Sequence, residues 1–364
     1  MRSSIVLGLQ FGDEGKGITT DYLCSQQDPR ETLVIRFSGG QQAGHTVVRN
    51  GIKHIHSNYG SGALRGIDTY ISEYCTFYPK TMFSESIALA QKGQQPNIYI
   101  HPLAKLTTPY DVAFNRIHKP NLEHGSCGMG IGTTMRRNIE TGYKLFAIDT
   151  TNKSVLRAKL REIEHFYRLQ VSDLCLDIYN RVVKEEEELF FNSLNQNLFT
   201  LTTKTKKREH YIFEGSQGIL LDMDHGVFPN VTYGNTTSKN AIVLCNKMYL
   251  DPTIYYVTRC YQTRHGSGWM SNEKKIDLVN NEAEINQFNP YQGDFRVGEL
   301  DYDLLNYSLD IDNIYSFSRK KNLIVTCMDQ RPDFQLNTMK FRTDFNEVLL
   351  SHSAEANFSK LQTS

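Results

Sequence analysis

The stretch from Ser4 to Gly17, SIVLGLQFGDEGKG, constrains this chain more than any other. Ile5, Val6 and Leu7 form the short apolar run of a strand buried on both faces. Glycines at 12, 15 and 17 then surround Lys16, and Ile18 to Leu23 can open a helix. Strand, glycine-rich turn and helix N-terminus together make an anion site. Small residues let backbone N–H groups point at a phosphate, and the helix dipole and Lys16 add positive potential. The spacing matches neither G-x-x-x-x-G-K-[ST] nor G-x-G-x-x-G. Its unusual part is acidic: Asp13 and Glu14 stand in a loop suited to anions. That repulsion is costly unless a cation or a titrating substrate needs a carboxylate there. The plainer reading is a glycine-rich turn without a ligand.

A second strand, Thr32 to Phe37, also runs into glycines, Ser38-Gly39-Gly40-Gln41-Gln42-Ala43-Gly44-His45. Two glycine turns at the carboxyl ends of neighbouring strands mark the edge where open α/β sheets bind ligands. Ile98 to Ile100 is expected to be a strand, Tyr110 to Arg116 to begin a helix, and residues 152–194 to be helical. The acidic run Glu185 to Glu188 reads as a solvated face. Gly125 to Gly132 carries four glycines in eight positions, too flexible for an ordinary helix. Residues 195–209 read as a polar surface connection, Leu323 to Val325 as a late strand, and the last stretch shows no motif.

No internal repeat or linker stands out. The reading is therefore one α/β domain over residues 1–350, built around a large, mostly parallel central sheet with flanking helices, and a tail over 351–364. A chain of 364 residues, 39% of them apolar, can bury a sizeable core. Its formal net charge of zero argues against nucleic acid or an acidic membrane as partner. Seven scattered cysteines without a CxxC pair read as reduced thiols. With no apolar run of membrane-spanning length and no signal peptide expected, the localisation expected is cytoplasmic.

Gly8-Leu9-Gln10-Phe11-Gly12-Asp13-Glu14-Gly15-Lys16-Gly17 closely resembles the N-terminal signature of the adenylosuccinate synthetases, G-x-Q-W-G-D-E-G-K-G. Other stretches resemble the same family in the same order. Gly39 to Thr46 is similar to G-G-x-N-A-G-H-T, and Lys53 to Leu64 to a segment containing H-L-x-P-S-G-I-L. Gly125 to Thr134 is similar to G-T-T-G-R-G-I-G-P. The longest likeness, from Phe213 to Thr237, is to E-G-A-Q-G-x-L-L-D-x-D-H-G-x-Y-P-x-V-T-x-x-N-T-T. Thr263 to Gly268 is similar to T-R-V-G-x-G, and the likeness ends near Asp329.

The resemblance implies a P-loop-related fold and a ligase of purine biosynthesis. Such an enzyme joins L-aspartate to carbon 6 of inosine monophosphate, using GTP and Mg2+, and is usually a homodimer. The 6-oxygen is a poor leaving group, and phosphorylation turns it into a good one. A base must first take the proton from N1. By resemblance Asp13 is that base and also a metal ligand, with the Gly40 carbonyl as another, while Lys16 offsets charge on the transferring phosphoryl group. Gln217 holds the 6-oxygen. Gly12, Glu14, Gly15 and Gly17 belong to the nucleotide loop, Ser126, Cys127 and Thr232 grip the monophosphate, Arg264 and Asp329 serve the nucleotides, and Arg296 serves aspartate. Without the resemblance, Gln217 and Thr232 could equally be turn or cap residues.

Departures from the family pattern fall mainly on substrate selection. Gln41 stands where the family has a histidine that acts as an acid towards the phosphoryl group, and an amide cannot titrate near neutral pH. Thr141 falls where a neighbouring subunit's arginine is expected, with Arg136 and Arg137 the nearest substitutes. Asp294 replaces an arginine, leaving Arg296, and the guanine-reading T-K-L-D becomes Thr326-Cys327-Met328-Asp329. The acceptor is thus inosinate or, as in viral relatives, deoxyguanylate, and the donor GTP, ATP or dATP. A catalytically weak nucleotide-binding regulator is the alternative of another class. Asp13 and Lys16 weigh against it, since a mere binder has no use for a carboxylate amid phosphates.

Overall fold

Ile5, Val6, Leu7, Val34, Ile254 and Ile324 are all fully buried, as short apolar runs must be in strands covered on both faces. The computed structural model describes residues 1–42, 44–118, 121, 123, 125–204, 206–279, 284, 291 and 293–361. Ala43, in the second glycine turn, lies outside them. In the first half of the chain the strands are β1 (Arg2–Gly8), β2 (Thr32–Arg36), β3 (His45–Arg49), β4 (Ile52–His56), β5 (Asp68–Ile71), β6 (Thr76–Phe77), β7 (Ile98–Ile100) and β8 (Lys105–Leu106). The second half adds β9 (Thr200–Leu201), β10 (His210–Gly218), β11 (Pro252–Arg259), β12 (Gln262–His265), β13 (Phe295–Gly298), β14 (Lys321–Thr326), β15 (Glu347–Ser351) and β16 (Phe358–Lys360). Ten of these make one sheet in the order β16-β15-β14-β11-β1-β10-β2-β5-β7-β9. Every pair in it is parallel except β15 with β16.

The helices that cover the sheet are α1 (Lys16–Ser25), α2 (Pro79–Ala90), α3 (Pro109–Ile117), α4 (Ile131–Glu140), α5 (Lys153–Arg168), α6 (Leu176–Leu194), α7 (Lys239–Lys247) and α8 (Tyr302–Ser316). None is long and apolar enough to cross a membrane. Side chains alternate across β1. Ile5 and Leu7 join a cluster with Phe213, Tyr256 and Leu323, while Val6 joins Val34, Ile212, Val257 and Ile324 on the other face. Each such aliphatic side chain contributes about 1.5–3 kcal/mol by leaving water. A further core beneath α3, α5 and α6 gathers Phe114, Tyr167, Tyr179 and Phe190.

Four expectations change. The two glycine turns do not end neighbouring strands, because β10 lies between β1 and β2. The third glycine signature, at the end of β10, is thereby set between the first two. Ile131 to Thr134 open a regular helix whose N-cap, Gly130, takes the left-handed conformation at φ 78°; the glycines crowd its entrance rather than prevent it. The 152–194 region is two helices, parted at 169–175. The Glu185–Glu188 run is not wholly solvated. Glu186 is buried and accepts from Tyr78 Oη at 3.0 Å and Lys80 Nζ at 2.7 Å, tying α6 to α2. At the C-terminus, residues without a motif supply β15 and β16 at one sheet edge.

Candidate active site

Loops at the carboxyl ends of β1, β2, β10, β11 and β14 close around one cavity of about 1410 Å³. The first loop is held from beneath. Glu14 is fully buried, and its Oε1 accepts from the N–H groups of Gln10 at 3.0 Å and Gly12 at 2.9 Å. Its Oε2 meets the ammonium of Lys16, itself only 3% exposed. Two glycines make room for this carboxylate. A Cβ on Gly8 would lie 2.3 Å from Glu14 Oε2, and one on Gly218 would lie 2.4 Å from Oε1 and 2.1 Å from the Gln10 carbonyl. Gln10 Nε2 donates to Thr258 Oγ1 at 2.6 Å, and Thr326 Oγ1 donates to the Glu14 carbonyl at 2.7 Å. The ends of β11 and β14 thus brace the turn.

That bracing turns the next carboxylate outward. Asp13 sits at φ 62°, in the left-handed region, between Gly12 at 98° and Gly15 at 97°. Its carbonyl accepts from Arg259 Nε at 2.6 Å, while its carboxylate takes no hydrogen bond from the described residues and faces the cavity. Burial holds this carboxyl above its ordinary value, although Arg259 and Lys16 pull it back. Gln217, also left-handed at φ 60°, ends β10 beside Gly12, and both residues line the same cavity.

Gln41 lines the cavity too, but its amide is spent on the protein. Nε2 donates to Thr107 Oγ1 and the Met129 carbonyl, both at 3.1 Å, and Oε1 accepts from Thr76 Oγ1 at 3.3 Å. It joins the second loop to the Gly125–Gly132 turn and to Thr76 and Thr107 behind them. A different imidazole is nearby. His45 Nδ1 lies 2.7 Å from Glu214 Oε1, and Ser61 N–H donates to Glu214 Oε2 at 3.0 Å. Burial would raise Glu214, yet His45, Arg36 and Ser61 bring it down to about 2. Burial holds His45 below its ordinary value. The pair is therefore a carboxylate and a neutral ring whose Nδ1–H donates to it. Nε2 is left as the nitrogen available to the cavity that His45 lines. His45 packs against Gly17, where an added Cβ would meet its own Cβ at 2.8 Å, so the ring stands beside the start of α1.

The structure therefore brings Gly12, Asp13, Gly15, Lys16, Gly17, Gln41, Ser126, Cys127, Gln217, Thr232, Arg264 and Asp329 to the lining of one cavity. Glu14, Gly40 and Arg296 are not among the described residues on it. Glu14 faces inward as an anchor. Gly40 is pressed against Thr76, whose Oγ1 an added Cβ would meet at 1.9 Å. Arg296 donates to Glu273 at 2.6 Å and to the carbonyls of Gly266 and Gly268 at 2.9 and 2.7 Å. Arg264 lies over the Phe11 ring at 4.3 Å and donates to the carbonyls of Ser267, Trp269 and Asn230, which shapes the wall rather than offering a free cation. Arg137 is locked to Asp111 at 2.8 Å in the interior, and Arg136 pairs with Glu140. Sequence reasoning passed over the His45–Glu214 pair and Arg259. Their partners are far apart in the chain, and a His and a Glu inside glycine signatures read as part of the turn.

The family model for adenylosuccinate synthetase matches residues 5–333. The adenylosuccinate synthetase of Buchnera aphidicola subsp. Schizaphis graminum is 30% identical over 94% of this chain and 80% of its own. That of Natronomonas pharaonis is 29% identical over 79% of this chain and 67% of its own. Among solved structures, the fully ligated adenylosuccinate synthetase of Plasmodium falciparum superposes with a TM-score of 0.66 at 21% identity, over 90% of this chain and 77% of that one. The succinoaminodeoxyadenylate synthetase of cyanophage S-2L, bound to dGMP and to dATP as an energy donor, superposes with a TM-score of 0.68 at 14% identity, over 100% of this chain and 96% of that one.

Proposed function

The chain belongs to the adenylosuccinate synthetase family of C–N bond-forming, purine nucleotide ligases, and from that premise we propose that it joins L-aspartate to carbon 6 of inosine monophosphate, forming adenylosuccinate. One observation carries the reading. The Asp13 carboxylate faces the cavity without a hydrogen-bond partner among the described residues, and burial raises its proton affinity beside Lys16 and Gln217. A carboxylate in that state suits removal of a proton from N1 of a purine, which makes the 6-oxygen nucleophilic towards a nucleoside triphosphate. Gln217 offers an amide to that oxygen. Lys16 and the N–H groups that open α1 receive phosphate charge. The aspartate amine then displaces phosphate from carbon 6.

The cavity also suits a divalent cation of the magnesium type, which asks for hard oxygen ligands. Asp13 supplies an unshared carboxylate on the cavity, while Gly40, whose carbonyl accepts no hydrogen bond among the described residues, lies off its lining against Thr76. When bound, Mg2+ would screen phosphate charge. Everything else in the scheme is done by the side chains named. Gln41 is a brace in this reading, and His45, held by Glu214, is the titratable group available to the phosphoryl end.

The reading also includes deoxyguanylate as the rival acceptor, GTP or ATP as donor, a cytoplasmic setting and a homodimer. Mixing the chain with aspartate, Mg2+, either triphosphate and either inosinate or deoxyguanylate, and following phosphate release, tests the substrates. Release with inosinate is expected. Release with deoxyguanylate alone would move the assignment to the reaction of the cyanophage type, and no release with any pair would favour a nucleotide-binding regulator. Light scattering on the eluted chain tests the dimer.

A further inference from the structure

Beneath the β3–β4 hairpin lies a second cluster that the purine chemistry does not use. β4 alternates, with Lys53 and Ile55 exposed and His54 and His56 buried, so both imidazoles project from one face. Glu85 of α2 faces them. Its Oε1 lies 3.7 Å from His54 Nε2 and 3.8 Å from His56 Nδ1, too long for hydrogen bonds. The rings are 4% and 0% exposed, yet His54 Nε2 and both nitrogens of His56 have no hydrogen-bond partner among the described residues. One ligand atom from each of the three residues lies within 4.8 Å of the others.

We propose that His54 Nε2, His56 Nδ1 and Glu85 form a structural site for a divalent transition metal of the zinc type, pinning the hairpin to α2. Two imidazoles and one carboxylate suit zinc and exclude the all-oxygen preferences of magnesium and calcium. Ligands about 2.0–2.2 Å from a tetrahedral ion stand about 3.3–3.5 Å apart. Contraction by a few tenths of an ångström brings the two carboxylate–imidazole separations into range, and the ring nitrogens start within 4.8 Å of each other. The carboxylate is already aimed. Glu85 Oε2 accepts from the Asn58 N–H at 2.7 Å and Asn58 Nδ2 at 3.0 Å, the kind of outer support that orients a metal ligand, while Oε1 accepts from the Ser57 and Tyr59 N–H groups at 3.1 and 3.3 Å and would share these with the ion. A cation also opposes binding. Lys92 Nζ lies 2.8 Å from His54 Nδ1. A metal on Nε2 puts the ring proton on Nδ1, so the half-exposed Lys92 must swing away into solvent.

The test uses the full chain, stripped by chelator, desalted and titrated with Zn2+ alone. One equivalent should be retained through gel filtration and raise the melting temperature, and Co2+ should give the visible spectrum of a low-coordinate nitrogen–oxygen site. His54→Gln and His56→Gln should each weaken retention ten- to a hundredfold, Asp13→Asn should leave it unchanged, and Lys92→Met should strengthen it. The wild-type titration and spectrum need no variant, so poor folding of either glutamine variant cannot shelter the idea. Absence of retained Zn2+ in the folded wild-type chain, or retention indifferent to both histidine substitutions, would overturn it.

Discussion

Glu14→Gln is the substitution that most directly tests how the first loop is held. Glutamine keeps the size that Gly8 and Gly218 leave room for, and its amide oxygen can still accept from Gln10 and Gly12. It loses the charge that meets Lys16, leaving a 3% exposed ammonium without its partner. Breaking a buried pair by removing one member costs about 3–5 kcal/mol. For a chain of this size that is a fall in melting temperature of roughly 4–7 °C. Urea unfolding of the wild type, Glu14→Gln, Lys16→Met and the double variant gives the cycle. The double variant has no stranded charge, so it should be more stable than the sum of the single losses predicts, by about 2–3 kcal/mol. If Glu14→Gln stays within about 1 kcal/mol of wild type, or the two losses add to within about 0.5 kcal/mol, the pair does not hold the loop.

Gly218→Ala should be at least as damaging as Glu14→Gln, because its Cβ meets the Gln10 carbonyl at 2.1 Å as well as the Glu14 carboxylate; thermal unfolding checks it. Asp13→Asn should keep triphosphate affinity by calorimetry while turnover falls roughly 10²–10⁴-fold. In the wild type kcat/KM should fall with decreasing pH at a value above that of an ordinary aspartate, since burial raises this carboxyl and only its ionised form accepts the proton. The same shift means the folded chain favours protonated Asp13, so Asp13→Asn should be the more stable protein at neutral pH. Glu214 runs the other way. Its carboxyl is brought from 4.5 to about 2 on folding, so its contribution is present above pH 4.5 and lost as pH falls towards 2. Glu214→Gln should remove that part of the acid limb in a pH series of melting curves.

What could be read from the sequence was local, and what could not was made by residues far apart. The strand–glycine–helix punctuation at Ile5 to Leu23 needs only neighbouring residues, and β1 and α1 appear where it places them. The position of β10 between β1 and β2 depends on a crossover of more than a hundred residues, which no local pattern encodes. Glu186 illustrates the same limit. Within a run of acids it reads as solvated, yet it is buried because Tyr78 and Lys80, on another element, supply its donors. Asp13 and Glu14 are the sharpest case. Charge counting sees two adjacent carboxylates repelling one another in an anion loop. The fold gives them different tasks, and the instruments are Gly8, Gly218 and Lys16 on one side and Arg259 on the other. Because Glu14 already occupies Lys16, that lysine compensates Asp13 only in part, and burial prevails in raising the Asp13 carboxyl. A phosphate entering the loop must compete with Glu14 for the same ammonium. The pair that holds the loop therefore also sets how strongly a nucleotide must bind before Lys16 turns to it.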